Sequence, residues 1–211
     1  MLRRSALIVL AAAALAAAMP VHAQGSSPVI LVVGDSISAA YGLPPNAGWT
    51  DLLAARLTAQ KYAFRVVNAS ISGDTTAGGR SRLPALLARH RPAIVVIELG
   101  GNDGLRGGDL ATTRANLDAM AVAAKDAGAK VLIVGMRLPP NYGPAYTNGF
   151  AAMFGEVAKA RGAAVVPFFF EGFGDNSEWF QPDRIHPTRD AQTRLLDNVW
   201  PTLKPLLGNP R

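Results

Sequence analysis

Val29-Ile30-Leu31-Val32-Val33-Gly34-Asp35-Ser36 decides how the rest of the chain is read. Its unbroken apolar run, stopped by a glycine, fits a strand buried on both faces of a parallel sheet. Residues 64–67, 94–99, 131–134 and 164–168 have the same texture. Helical spacing fills the gaps between them. Trp49, Leu52, Leu53, Arg56 and Leu57 share one helix face, and a helix is expected strongest from Pro84, at its first turn, through His90. Residues 109–127, with Leu117, Met120 and Ala124 on the apolar side, read as a helix closed by Gly128. Phe150, Met153, Phe154 and Val157 mark another, closed by Gly162, and a final helix starts near Thr188 and is completed over 198–206. Residues 43–48 and 138–144 read as loops. Strict alternation of strand and helix predicts a doubly wound α/β sandwich with a parallel sheet.

Four short segments then fall in order: Gly34-Asp35-Ser36, Ser72-Gly73-Asp74, Gly101-Asn102-Asp103 and Asp183-Arg184-Ile185-His186. Three directly follow a strand, and the fourth follows the last strand after a loop. In a parallel sheet those positions gather at the edge where strands end and ligands bind.

The first 23 residues read as a secretory signal peptide: Arg3 and Arg4, an apolar run from Ala6 to Met19, then Val21-His22-Ala23 with cleavage after Ala23. The apolar run is about 14 residues, short of the ~20 that a spanning helix needs, so no stable membrane insertion is expected. Residues 24–211 suffice for one well-buried domain. The chain has no cysteine, which excludes disulfides, thiol catalysis and thiolate metal sites without contradicting export. It has 21 basic and 15 acidic residues. Arg80, Arg82, Arg89 and Arg91 form the densest basic group, with no aromatics interleaved, so no nucleic-acid partner is expected.

Of the three histidines, His22 leaves with the signal peptide and His90 sits beside two arginines at a helix end, where the dipole favours it. His186 remains as the candidate general base. Pro187 disfavours helical geometry at His186, and Asp183 is near enough to bond its Nδ1–H and leave Nε2 free for a proton. An isolated Asp-x-x-His more often serves a purely structural turn. Ser36 sits where a strand ends and a helix could begin, so it reads either as a nucleophile or as a helix N-cap. Gly73 can bring its N–H close to a reacting atom, and Asn102 can donate its side-chain amide, though both also suit ordinary turns. Nucleophile, donors and acid–base pair in order on strand ends favour the catalytic reading. The chain has no G-x-S-x-G, no dinucleotide fingerprint and no P-loop, and one available histidine is too few for a metallophosphoesterase.

These segments resemble the SGNH (GDSL-type) hydrolase family, named for its Ser, Gly, Asn and His. The matching blocks are Gly34-Asp35-Ser36-Ile37-Ser38, Asn68-Ala69-Ser70-Ile71-Ser72-Gly73-Asp74, Glu98-Leu99-Gly100-Gly101-Asn102-Asp103-Gly104-Leu105-Arg106-Gly107 and Asp183-Arg184-Ile185-His186-Pro187. Arg137-Leu138-Pro139-Pro140-Asn141-Tyr142-Gly143 and Pro167-Phe168-Phe169 are similar to the bacterial periplasmic thioesterase I, lysophospholipase and arylesterase branch. The resemblance spans nearly all of residues 24–211. It implies a flavodoxin-like three-layer fold with a five-stranded parallel sheet. It implies a triad of Ser36, His186 and Asp183, an oxyanion hole from the Ser36 and Gly73 N–H groups and the Asn102 side chain, and no metal or organic cofactor. Small acyl esters or thioesters would be the substrates, lysophospholipid among them, and the location periplasmic or secreted. The loop after the Asn, residues 104–109, would be mobile and touch the acyl chain. Leu105, Met136, Leu138, Pro139 and Tyr142 are candidates for the acyl groove. Arg184, where the family has a small residue, and the longer loop at Pro44-Pro45 depart from the pattern and fall at the rim. The same site used on acetylated carbohydrate, or a non-catalytic acyl-binding protein, are the alternatives.

Overall fold

The computed structural model describes residues 27–210; the expected signal peptide lies outside them. Five strands form one sheet: β1 (Val29–Gly34), β2 (Arg65–Asn68), β3 (Ile94–Glu98), β4 (Lys130–Val134) and β5 (Ala164–Val166). Their order is β2-β1-β3-β4-β5 and every pairing is parallel. This is the doubly wound flavodoxin-like arrangement expected. β1 and β3 are buried along their whole length and the edge strand β2 is not, which is why the first and third apolar runs are the purest. The strand order reverses between β1 and β3, so the ligand crevice of such a sheet opens at their carboxyl ends.

Among the described residues six α-helices flank the sheet: α1 (Trp49–Ala59), α2 (Thr76–His90), the short α3 (Gly101–Leu105), α4 (Leu110–Asp126), α5 (Pro144–Arg161) and α6 (Ala191–Leu207). Asp109 caps α4 by accepting from the Thr112 N–H at 2.8 Å. Gly128, just past α4, and Gly162, the C-cap of α5, take the left-handed conformations expected of them.

Several expectations need correction. Pro84 is not in a first turn but in the middle of α2, which starts eight residues earlier at Thr76. Thr75 caps that start by accepting from the Gly78 N–H. Pro84 lies on the exposed face, so water can serve the carbonyl that its missing N–H leaves unpaired. No helix begins at Ser36: residues 36–42 form successive turns, and α1 starts only at Trp49. Within the expected 138–144 loop, Pro140–Tyr142 make one 3-10 turn and Pro144 opens α5. Residues 104 and 105 belong to α3, which shortens the expected loop to 106–109. The last helix begins at Ala191, three residues later than expected.

Candidate active site

β1 ends at Gly34, where a side chain has no room: a Cβ would lie 2.8 Å from both the Glu98 carboxyl and the Ser38 side chain. The chain then turns because the Asp35 Oδ1 accepts the Ile37 N–H at 3.0 Å, a local bond that competes with helix. Ser36 stands half-exposed at the apex of this turn. The turn is anchored from beneath. The Ser38 hydroxyl donates to Glu98 at 2.6 Å and accepts from the fully buried Trp49 indole at 3.1 Å. Burial, with the Asp35 charge beside it, pushes the Glu98 carboxyl well above the usual carboxylate range.

His186 approaches from the far side on a more exposed loop. The loop is closed by the Phe180–Pro187 bridge and by the Gln181 N–H donating to the His186 carbonyl at 2.7 Å. The Gln181 amide ties it to the Ser36 turn by donating to the Tyr41 carbonyl at 2.8 Å. Arg184 takes a left-handed conformation (φ 57°) to make the turn. Asp183 uses both carboxylate oxygens, one on the imidazole and one on the backbone of the turn. Oδ2 lies 2.7 Å from the ring Nδ1, and Oδ1 accepts the Ile185 and His186 N–H groups at 2.9 and 3.0 Å. Partial burial works against ionisation of Asp183, but these bonds outweigh it and hold the carboxyl down to about 2. The ring Nε2 is then 2.8 Å from the Ser36 Oγ. The Tyr41 ring packs on the imidazole at 4.6 Å between centroids.

Gly73 and Asn102 line the same pocket as Ser36 and His186. Gly73 has φ +78° and nothing within 4 Å of where a Cβ would be, so the backbone approaches the pocket unobstructed. Among the described residues neither the Ser36 nor the Gly73 N–H has a backbone acceptor, and both residues line the pocket. Asn102, on α3, donates its amide to the Asp74 carbonyl at 2.9 Å and to the Asp35 Oδ2 at 3.2 Å. Burial pushes the Asp35 carboxyl up to about 6, against the Ile37 N–H bond and the attraction of His186. Arg82 on α2 fixes this corner: it pairs with Asp74 at 2.8 Å and donates to the Gly34 and Ala69 carbonyls at the ends of β1 and β2.

Ser36, Gly73, Asn102 and His186 thus meet at the floor of a pocket of about 660 Å³. Leu105, Met136, Leu138 and Pro139 line it. Tyr142 does not and is a correction: its ring stacks on Tyr146, and its hydroxyl donates to the Leu105 carbonyl at 2.8 Å. It braces the wall from behind. Phe168, Phe170 and Phe180 add to the apolar lining, and Arg137 and Arg184 bring cationic groups to it. Arrayed this way, the groups can deprotonate a hydroxyl, hold an oxyanion and bed an apolar chain. No cluster of three or more His, Cys, Asp or Glu able to hold a metal occurs among the described residues.

Sequence reading alone missed the supporting residues. Asp35, Glu98 and Asp74 lie inside the quoted blocks but carry no local signal of their roles. Arg82 counted only as part of a basic cluster, yet it knits the ends of β1 and β2 to Asp74.

Comparisons with known proteins identify the family. A family model described as GDSL-like lipase/acylhydrolase matches residues 32–194. The chain is 59% identical over 184 residues to esterase TesA of Pseudomonas aeruginosa, covering 87% of this chain and 92% of that protein. It is 42% identical over 180 residues to thioesterase 1/protease 1/lysophospholipase L1 of Escherichia coli, covering 85% of each. The crystal structure of the psychrotrophic esterase EstA from Pseudoalteromonas superposes with a TM-score of 0.81 at 38% identity, covering 86% of this chain and 99% of that one.

Proposed function

Because the chain belongs to the GDSL-like lipase/acylhydrolase family and is an ester hydrolase of its thioesterase and arylesterase branch, we propose that it is an exported serine acyl-hydrolase working through an acyl-enzyme on Ser36. The first 23 residues are its cleaved leader and residues 24–211 its single catalytic domain. The observation that carries the reading is the relay Asp183–His186–Ser36, with links of 2.7 and 2.8 Å, at the floor of an apolar pocket.

The His186 Nε2 takes the proton as the Ser36 Oγ attacks the acyl carbonyl. The oxyanion that forms is held by the Ser36 and Gly73 N–H groups and the Asn102 amide. As the tetrahedral intermediate collapses, the carbon–oxygen or carbon–sulfur bond to the leaving group breaks, and His186 returns its proton to that group. Water then gives a proton to the Nε2, attacks the acyl-enzyme through a second oxyanion, and releases the fatty acid while Ser36 regains its proton. Asp183, ionised throughout the neutral range, fixes the tautomer and supports the imidazolium. The acyl chain lies along Leu105, Met136, Leu138 and Pro139.

Hydrolysis of p-nitrophenyl esters from acetyl to palmitoyl, with Ser36→Ala in parallel, tests the reading. Ser36-dependent turnover that improves with medium or long chains is expected. Turnover confined to acetate would reassign the site to acetylated carbohydrate, and none at all to acyl binding without catalysis.

A further inference from the structure

We propose that Asp35 is a positioning residue for the oxyanion hole: its carboxylate holds the Asn102 side chain with the amide nitrogen, not the amide oxygen, toward the reacting carbonyl. The proposal rests on the reading of Asn102 as an oxyanion donor. An asparagine side chain is nearly symmetric in shape, and half a turn about its last bond exchanges a donor for an acceptor. An acceptor aimed at a developing oxyanion repels it. The hole therefore works only if its surroundings distinguish the two orientations.

The neighbours of Asn102 do so. Its Nδ2 lies between the Asp74 carbonyl at 2.9 Å and the Asp35 Oδ2 at 3.2 Å, one a pure acceptor and the other one when ionised. The flipped amide would set its oxygen against both. The two acceptors are not equivalent. Asp35 and Asn102 line the pocket, whereas Asp74 does not. The amide hydrogen aimed at Asp35 is thus the one that an oxygen in the pocket can share in a three-centre bond.

The residue type at position 35 follows from the same count. Both carboxylate oxygens accept: Oδ1 from the Ile37 N–H at 3.0 Å and Oδ2 from Asn102. An asparagine at 35 has one acceptor and one donor. Either way round, it sets N–H against N–H, at Ile37 or at Asn102. The Ile37 bond shapes the Ser36 turn and the Asn102 bond sets the hole, so one carboxylate ties the nucleophile to the donor across 67 residues of sequence.

A double-mutant cycle between Asp35→Asn and Asn102→Ala tests this, read as kcat and KM on one p-nitrophenyl ester. Asn102→Ala is expected to lower kcat by about 10²–10³. Asp35→Asn is expected to lower it by about 10–10², with KM within about threefold, and by less than about threefold once Asn102 is gone. Circular dichroism checks the fold of each variant, and Asp35→Ala takes the place of Asp35→Asn if the latter does not fold. Additive losses would overturn the proposal, because a structural effect on the Ser36 turn does not need Asn102. An unchanged kcat in Asp35→Asn and Asp35→Ala would also overturn it. Full activity in Asn102→Ala would instead overturn the reading of Asn102 on which the proposal stands.

Discussion

Two aspartates flank Ser36, and their surroundings push them in opposite directions. Asp183 sits on a half-exposed loop, receives two backbone N–H bonds and an imidazole, and is held down to about 2. Asp35 lies at the buried end of β1, close to Glu98 and Asp74, and is pushed up to about 6. The first is a charge that the protein stabilises by hydrogen bonding. The second is a charge that the protein tolerates at a cost in stability. Buried carboxylates are kept at such cost when their acceptors do something that an apolar residue cannot, and at Asp35 that is shaping the turn and orienting Asn102.

Substitutions on the two sides break this comparison to different degrees. Ser36→Ala and His186→Ala remove the proposed nucleophile and base and should lower kcat by about 10⁴–10⁶ in steady-state ester hydrolysis. Asp183→Ala leaves nucleophile, base and hole in place, so a measurable remainder should survive a loss of up to about 10⁴.

Stability should separate the aspartates by sign. The folded state raises the Asp35 carboxyl, so its ionisation costs stability that grows as pH rises from the ordinary carboxylate range to about 6 and is constant above it. Melting temperatures from about pH 4 to about pH 7 should therefore shift in favour of Asp35→Asn relative to the parent. The folded state lowers the Asp183 carboxyl, so its contribution is present above the ordinary carboxylate range and is lost only as pH falls toward about 2. Asp183→Asn should accordingly show a small, nearly constant deficit across the same interval. A difference of the same sign for both variants would contradict the contrast.

The smallest effect concerns the pocket wall. The Tyr142 and Tyr146 hydroxyls donate to the Leu105 and Gly108 carbonyls at 2.8 and 2.6 Å, bracing the segment that borders the acyl groove. Replacing both with Phe removes bonds worth about 1 kcal/mol each. A few-fold drop in kcat/KM for long-chain esters, with acetyl esters little changed, is the expected result in a chain-length series.

What was legible in the sequence was what local chemistry dictates. β1, β3 and β4 announce themselves because both faces are buried, and Gly128 and Gly162 mark helix ends because the left-handed cap favours glycine. The Asp183–His186 pair was legible because the two are three residues apart, and Ser36 stood out because it directly follows the first strand. Pro84 misled because a proline signals a helix start wherever its exposure is unknown. Tyr142 misled because its direction is set by a carbonyl 37 residues away. Asp35 and Arg82 stayed silent for the same reason: their partners come together only when β1, β2 and α3 are assembled.

The central claim is that Ser36 is the nucleophile and His186 activates it. Incubating the purified protein with a fluorophosphonate and locating the adduct by peptide mass spectrometry tests it most directly. The account predicts one adduct, on Ser36, absent in Ser36→Ala and formed far more slowly in His186→Ala. An adduct on another residue, or labelling of Ser36→Ala at the parent's rate, would contradict it.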